Sequence, residues 1–389
     1  MVIFLLFLIL ACGTLYCARG NNIVKVINVV SIGFALLAFF QLVNPESDLT
    51  TAFHHLNNIR NQGWSYFEDL SQSSVYFTGR FSLQMYFYLL SFLPFNNFYS
   101  AISMLIVYWC MLMAVHDASR YFGIRLYHEK LLLILVIFLT DFYDCSNGVR
   151  NILAFAIFIY AFIEDQTKNK NRYLCWGIYI VALFIHTATW PLLVFRILLV
   201  VKYRWLKMLI GTVTILWSNG LESLANLLSL FNSIPMVQGL IHGLIAYTEG
   251  TGSNYTESAF NMSASYMMMK NFRIYLTIIL LLIAIVVWRK YKNLSPIMTY
   301  GFYLITFTLG ANVSGLATNI ITRYSFALIL IAPILYGEYC TLKVPKMKLV
   351  LGRIKIEIIA LLFVICAILF NYYMFRYHYT ALGFSLELL

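Results

Sequence analysis

Apolar runs of near-membrane length recur from one end of this 389-residue chain to the other. No feature constrains the fold more. A hydrocarbon layer offers no water to backbone N–H and C=O groups, so a chain that crosses it repeatedly must do so as helices or as a closed barrel. Runs of about 17–20 apolar residues are the helical signature. Composition agrees: 61% of the residues are hydrophobic and 11% charged, against about 25% charged in soluble domains. No polar stretch is long enough for a separate soluble domain. The expected fold is an all-α integral membrane protein, one polytopic domain over 1–389. It has about twelve transmembrane helices plus a short re-entrant or outer-leaflet helix.

Short loops rich in Lys and Arg mark the cytoplasmic side, and they orient the runs. Arg19 and Lys25 follow the run at 2–17. The run at 26–43 then leads outward to a large extracytoplasmic loop at 44–79. Residues 80–93 are apolar but short, and 97–115 form a full span ending near Arg120, Arg125 and Lys130. An outer loop before and an inner loop after allow one net crossing, so 80–93 is expected not to span. Further crossings are read at 130–145, 149–164, 173–188, 190–201, 208–218, 272–288, 296–312, 320–340 and 356–373. A second extracytoplasmic region covers 219–270. The first run lacks the basic residues that precede a signal sequence, so it is expected to remain as the first span. The net charge of +11 is absorbed by these inner loops, which argues against nucleic acid as a partner. The seven cysteines suggest neither a disulfide framework nor a zinc spacing.

The stretch from Asp141 to Phe195 holds the chemistry. Two runs are joined by a turn carrying Lys168, Lys170 and Arg172, so their far ends, with Arg150 and His186, are expected at one level on the opposite face. Arg80, Arg150, Arg273 and Arg323 all break the charge rule by standing at the expected outer starts of apolar helices. A helix N-terminus carries about half a positive charge and disfavours a cation by a few tenths of a kcal/mol. Such arginines, together with backbone donors, make an anion site, and guanidinium grips phosphate bidentately. Each could equally snorkel to lipid headgroups or pair with a carboxylate such as Asp141 or Asp144. His186 is either an interfacial residue or an imidazole that takes a proton from a sugar hydroxyl. Asp48, Glu68, Asp69, Asp141 and Asp144 are rival bases. Asp48 with His54 and His55 could suggest a metal, but nothing completes a ligand set, so none is expected.

Three motifs carry a resemblance. G-V-R-N-I-L-A-F-A-I-F at Gly148–Phe158, F-I-H-T-A-T-W-P-L-L at Phe184–Leu193 and R-Y-S-F at Arg323–Phe326 resemble the EpsG-like, Wzy-type polysaccharide polymerases. This chain has Asn151 where that family usually has Gln, and Ala188-Thr189 after the histidine. The resemblance implies a multi-pass protein of the bacterial inner membrane acting at its extracytoplasmic face. The implied reaction joins oligosaccharide repeat units carried on undecaprenyl diphosphate into O-antigen, capsule or exopolysaccharide. It needs no cofactor, and a chain-length regulator is a further candidate partner besides membrane lipid. On this reading Arg150 and Arg323, with Arg80 and Arg273 behind them, bind diphosphate. His186, or else Asp48 or Asp141, acts as base. Three alternatives stay open: a lipid-linked sugar glycosyltransferase or ligase, a non-enzymatic flippase or transporter of lipid-linked sugars, and a structural membrane component of a synthesis complex.

Overall fold

The computed structural model describes residues 2–43, 47–70, 76–77, 79–168, 172–216, 227–230, 237, 241, 264–290, 294–313, 318–341, 365, 368–369 and 384. Every regular element among them is helical, apart from an isolated bridge between Gln41 and Phe384. The helices are α1 (Val2–Cys17), α2 (Ile23–Phe39), α3 (Asp48–Gln62), α4 (Ser65–Leu70), α5 (Phe81–Ser91), α6 (Asn97–Tyr121), α7 (Leu126–Leu139), α8 (Phe142–Asn147), α9 (Val149–Thr167) and α10 (Arg172–Ile185). After a 3-10 turn at Thr187–Thr189 come α11 (Trp190–Leu198), α12 (Arg204–Val213), α13 (Ala264–Lys290), α14 (Pro296–Val313) and α15 (Thr318–Thr341).

The bundle is built around α6 and α9, which pack on each other, with α2 beside α6 and α10 beside α9. Large aromatic rings fill the joints. Phe34 of α2 stacks on Tyr108 of α6 at 3.6 Å with the rings nearly parallel, and Phe142 of α8 packs on Phe4 and Phe34. Phe162 of α9 stacks on Tyr300 of α14 at 4.1 Å. Offset and edge-on ring pairs of this kind contribute about 0.5–1.5 kcal/mol each beyond the area they bury.

One described helix, α6, is long and apolar enough to cross a membrane by length and composition. Helices α1, α2 and α10 are apolar but shorter, and α11 has only nine residues. At 1.5 Å per residue the last rises about 14 Å. Several runs that read as single spans are divided. The run at 130–145 becomes α7 and α8, because Thr140 leaves the helix and Asp141 accepts the Tyr143 N–H at 3.0 Å to start a new one. The run at 208–218 is replaced by α12, which begins at Arg204. Helix α13 starts at Ala264, inside the region expected to be loop. Most of 219–263 and of 342–389, including the expected span at 356–373, lies outside the described residues.

The segment at 44–79 is not a plain loop. Ser47 caps α3 by accepting the Thr50 N–H at 3.4 Å, Asp48 favours the positive end of the helix, and Leu49, Ala52, Leu56 and Ile59 form its buried stripe. Gly63, at φ 66°, stops it. Arg60 at its far end donates to the Ser91 carbonyl at 3.1 Å and the Leu93 carbonyl at 2.9 Å, and it also bonds the Asn96 side chain. Asn97 in turn donates to the Phe39 carbonyl. The end of α5 is thereby tied to the end of α2 and the start of α6.

The opposite ends of the helices are knotted by charge. Asp165 of α9 is buried and takes Arg196 of α11 at 2.5 Å, with the Tyr179 hydroxyl of α10 at 3.2 Å and Arg172 at 3.9 Å. Lys168 bridges Asp117 of α6 at 2.9 Å and Glu164 at 2.6 Å, and His116 meets Glu129 of α7 at 2.5 Å.

Removing one member of a buried pair leaves the other charge without compensation, at a cost of about 3–5 kcal/mol. Arg196→Met is therefore expected to lower the melting temperature of the solubilised chain sharply, and Asp165→Leu added to it to recover part of the loss. Close approach of α12 and α14 gives a second test. A Cβ on Gly310 would lie 2.5 Å from the Ile215 carbonyl oxygen and 2.8 Å from that of Thr214, whereas Gly177 of α10 faces open space. Gly310→Ala should cost about 1–3 kcal/mol, while Gly177→Ala should gain up to about 1 kcal/mol from helix propensity, both read by thermal melting.

Candidate functional site

Arg150 is the second residue of α9, and Gly148 before it breaks the chain direction between α8 and α9. Its guanidinium carbon lies 3.5 Å from the centroid of the Tyr76 ring. One nitrogen is 3.8 Å from a carboxylate oxygen of Asp48, the first residue of α3. That distance is beyond hydrogen bonding, and Asp48 is 63% exposed while Arg150 is only 17% exposed. Among the described residues Arg150 makes no side-chain hydrogen bond. A guanidinium carries five N–H donors. Here it is held by a ring face and a loose ion pair, in a largely sheltered place, with its donors unspent.

Arg80 flanks the same loop. It precedes α5, is 7% exposed, and donates from Nη1 to the Tyr76 carbonyl at 3.1 Å. The 76–80 segment thus has one arginine on the ring of Tyr76 and another on its backbone. Among the described residues, two guanidinium groups thus meet at Tyr76, with the carboxylate of Asp48 beside one of them. His55 of α3 adds no charge there. Its ring packs 4.6 Å from that of Tyr76, and its Nδ1 is 2.7 Å from the Tyr66 hydroxyl. Burial first, then the charge of Arg150, then His54, depress its pKa to about 4, so it is neutral at physiological pH. Burial raises the Tyr76 phenol, against a partly opposing pull from Arg150.

His186 directly follows α10 and opens the 3-10 turn. Its Nδ1 accepts the Ala188 N–H at 3.0 Å, and its carbonyl accepts the Thr189 hydroxyl at 2.8 Å. The side chain is a cap, 5% exposed. With Nδ1 accepting, the neutral ring carries its proton on Nε2. The turn it caps packs on α9, and α10 packs on α5, so His186 belongs to the same set of elements as Arg150 and Arg80. Asp141 is fully buried as the cap of α8, whereas Asp48, beside Arg150, is exposed.

Arg323 lies in the second turn of α15, and the adjacent Tyr324 packs on Phe155 of α9 at 6.2 Å. This puts its backbone near the first turns of α9. Arg273 stands well inside α13, which begins at Ala264, so it is not at a helix start and the dipole argument for it falls away. The side chains of Arg273, Arg323 and Asp144 lie outside the described residues. Among the described residues no group of three His, Cys, Asp or Glu side chains could hold a metal ion.

Tyr76 and His55 complete the site, and neither stands out as a partner of Arg150 in the sequence. Tyr76 sits in a Ser- and Gln-rich segment with no helical period to give it a side, and only the folding of α3 over α5 brings it to Arg150. The signal available was the density of aromatic residues between Trp64 and Phe81, which an interfacial belt explains equally well.

The depressed pKa of His55 sets a pH dependence. Its folded value of about 4 lies below the ordinary 6.5, so between these values the folded chain binds fewer protons than the unfolded one. The stability tied to neutral His55 is therefore complete above about pH 6.5 and is lost as pH falls toward 4. His55→Gln should flatten the fall in melting temperature over that window relative to the wild-type chain. The functional reading rests on this geometry, because no protein-family model, curated protein or solved structure matches the chain.

Proposed function

We propose that the chain is a polysaccharide polymerase of the inner membrane, joining undecaprenyl-diphosphate-linked oligosaccharide units at its extracytoplasmic face. The observation that carries the proposal is the state of Arg150: a sheltered guanidinium stacked on Tyr76, close to Arg80, with no hydrogen bond among the described residues. Such a group is suited to a phosphate oxyanion, which accepts two parallel N–H bonds from one guanidinium.

Membrane residence is supported by the outward faces of the helices. Val2, Ile3, Leu6, Ile9 and Leu10 of α1 and Val29, Ile32 and Leu36 of α2 are all at least half exposed. Soluble monomers rarely present contiguous apolar patches larger than a few hundred Å². About twelve crossings remains our proposal for the whole chain. In it α5 stays at the outer face: its 11 residues rise about 16 Å, against about 30 Å of hydrocarbon. The charged clusters sit toward helix ends, an arrangement better suited to chemistry at one face than to passage of a polar group through the middle.

In the reaction the bond between the anomeric carbon of the growing chain and its lipid diphosphate breaks. A bond from that carbon to a hydroxyl oxygen of the incoming unit forms. The hydroxyl proton goes to the Asp48 carboxylate, which is exposed and next to Arg150. The departing diphosphate takes the electron pair, and Arg150, helped by Arg80 and by Arg323 from α15, stabilises the charge as it develops. His186 holds the turn against α9 and positions the acceptor.

Loss of a donor to a developing oxyanion costs about 10²–10³ in rate. Arg150→Ala should therefore leave single repeat units in place of polymer on a gel, with the protein still in the membrane. Arg150→Lys should restore little, since an ammonium lacks the planar fork. Unchanged polymer length and amount in Arg150→Ala would remove the site. Normal polymer in a strain without the chain would remove the function and favour transport or assembly.

A further inference from the structure

At the other end of the bundle the segment between α11 and α12 meets the end of α13. A cavity of about 280 Å³ lies there, lined by Leu199, Val201, Lys202, Arg204, Lys207, Trp288 and Leu294. Among the described residues, three of the seven lining side chains are cations and none is acidic. Arg204 donates to the Trp288 carbonyl, which fixes the start of α12 to the end of α13 and leaves most of its five donors. Tyr203, before α12, makes no side-chain cap to the first N–H groups of that helix, whose Arg204 and Lys207 line the cavity.

The surroundings identify the ligand class. Tyr203 and Trp205 are 69% and 66% exposed on either side of Arg204, the pattern of aromatic anchors at a membrane–water boundary. Beyond them Ile197 and Val200 of one helix end, and Leu209 and Val213 of α12, are exposed and apolar. A cationic recess at the boundary with greasy faces leading away from it matches a molecule with an anionic head and acyl tails. A free phosphate would use the cations and ignore the rest.

We infer that this recess binds the phosphate headgroup of an anionic phospholipid, with its tails along the exposed faces of α11 and α12. The inference rests on the membrane reading proposed above, with this end toward the cytoplasm, but not on the polymerase chemistry.

The test is native mass spectrometry of the full chain in detergent, titrated with phosphatidylglycerol, phosphatidylcholine or inorganic phosphate. Phosphatidylglycerol should be retained in preference to phosphatidylcholine. Lys202→Gln with Lys207→Gln, which spares the Arg204 tie, should weaken it on the order of 30-fold. Melting temperature checks that the double variant is folded; if it is not, either single variant should show a smaller loss in the same direction. Equal retention of the two lipids, or full retention in a folded double variant, would overturn the inference. Displacement of phosphatidylglycerol by inorganic phosphate at similar concentration would overturn the lipid assignment in favour of a simple anion site. Polymer length in cells, read in parallel, separates this site from the one at Arg150: loss of lipid preference with normal polymer leaves the proposed function standing.

Discussion

Asp165 is the fixed point of the bundle. It is a buried carboxylate whose charge is tolerable only because Arg196, Arg172 and the Tyr179 hydroxyl surround it. Those groups come from α10 and α11, so one acid sets the relative level of three helices. Because a helix rises a fixed 1.5 Å per residue, pinning one end determines the other. About 22 Å of α9 separates Asp165 from Arg150, and about 21 Å of α10 separates Arg172 from His186. The rise from the pegged end to the motif residue is thus nearly the same along the two helices. The ion pair is thus a registration device, and it acts on the site from the opposite side of the molecule.

At the site end, electrostatics would resist the arrangement if it were left bare. Arg150 sits in the first turn of a helix, where the dipole disfavours a cation. The chain compensates with Tyr76, whose ring face attracts the guanidinium, and with Asp48, placed at the positive end of its own helix. Neither consumes the hydrogen-bonding edge of Arg150. A close bidentate carboxylate would have stabilised it more and left nothing for a phosphate. The neutrality of His55 follows from the same field: a second cation in contact with Tyr76 would compete with Arg150, and burial together with Arg150 itself prevents it. Stability and binding capacity are balanced by choosing a π-face over an acid as the main partner.

The two ends differ in how their charge is used. At the end of Asp165 the acids outnumber free space, and Asp117, Glu164 and Glu129 are each paired. Beside Trp288, by contrast, three cations and no acid line a cavity among the described residues. At the end of Arg150 the cations are few but sheltered. A solvated salt bridge is worth about 0–1 kcal/mol, so the buried Asp165–Arg196 pair carries more energetic consequence than the loose contact between Arg150 and the exposed Asp48.

By itself the sequence determined the all-helical class of this protein. Apolar runs can bury their backbone polar groups only as helices, and basic loops repeat at alternate ends, so an all-helical bundle with two unlike faces follows from local chemistry. It also located Arg150, Arg80 and His186 at helix boundaries, because Gly148 and the Pro191 turn interrupt the pattern beside them. It did not reveal that the run at 130–145 divides at Asp141, since an apolar period continues through the break and the capping bond is invisible until the chain turns. Nor did it reveal the helices within 44–79, whose polar outer faces read as loop. The partners of Arg150 were decided by tertiary structure alone. Tyr76 is far from it in the chain and reaches it through the packing of α3 on α5 and α8, and such a contact depends on three-dimensional placement that no local periodicity encodes. The same holds for His186, where residue type suggested a base and the folded turn, by occupying Nδ1, made it a cap.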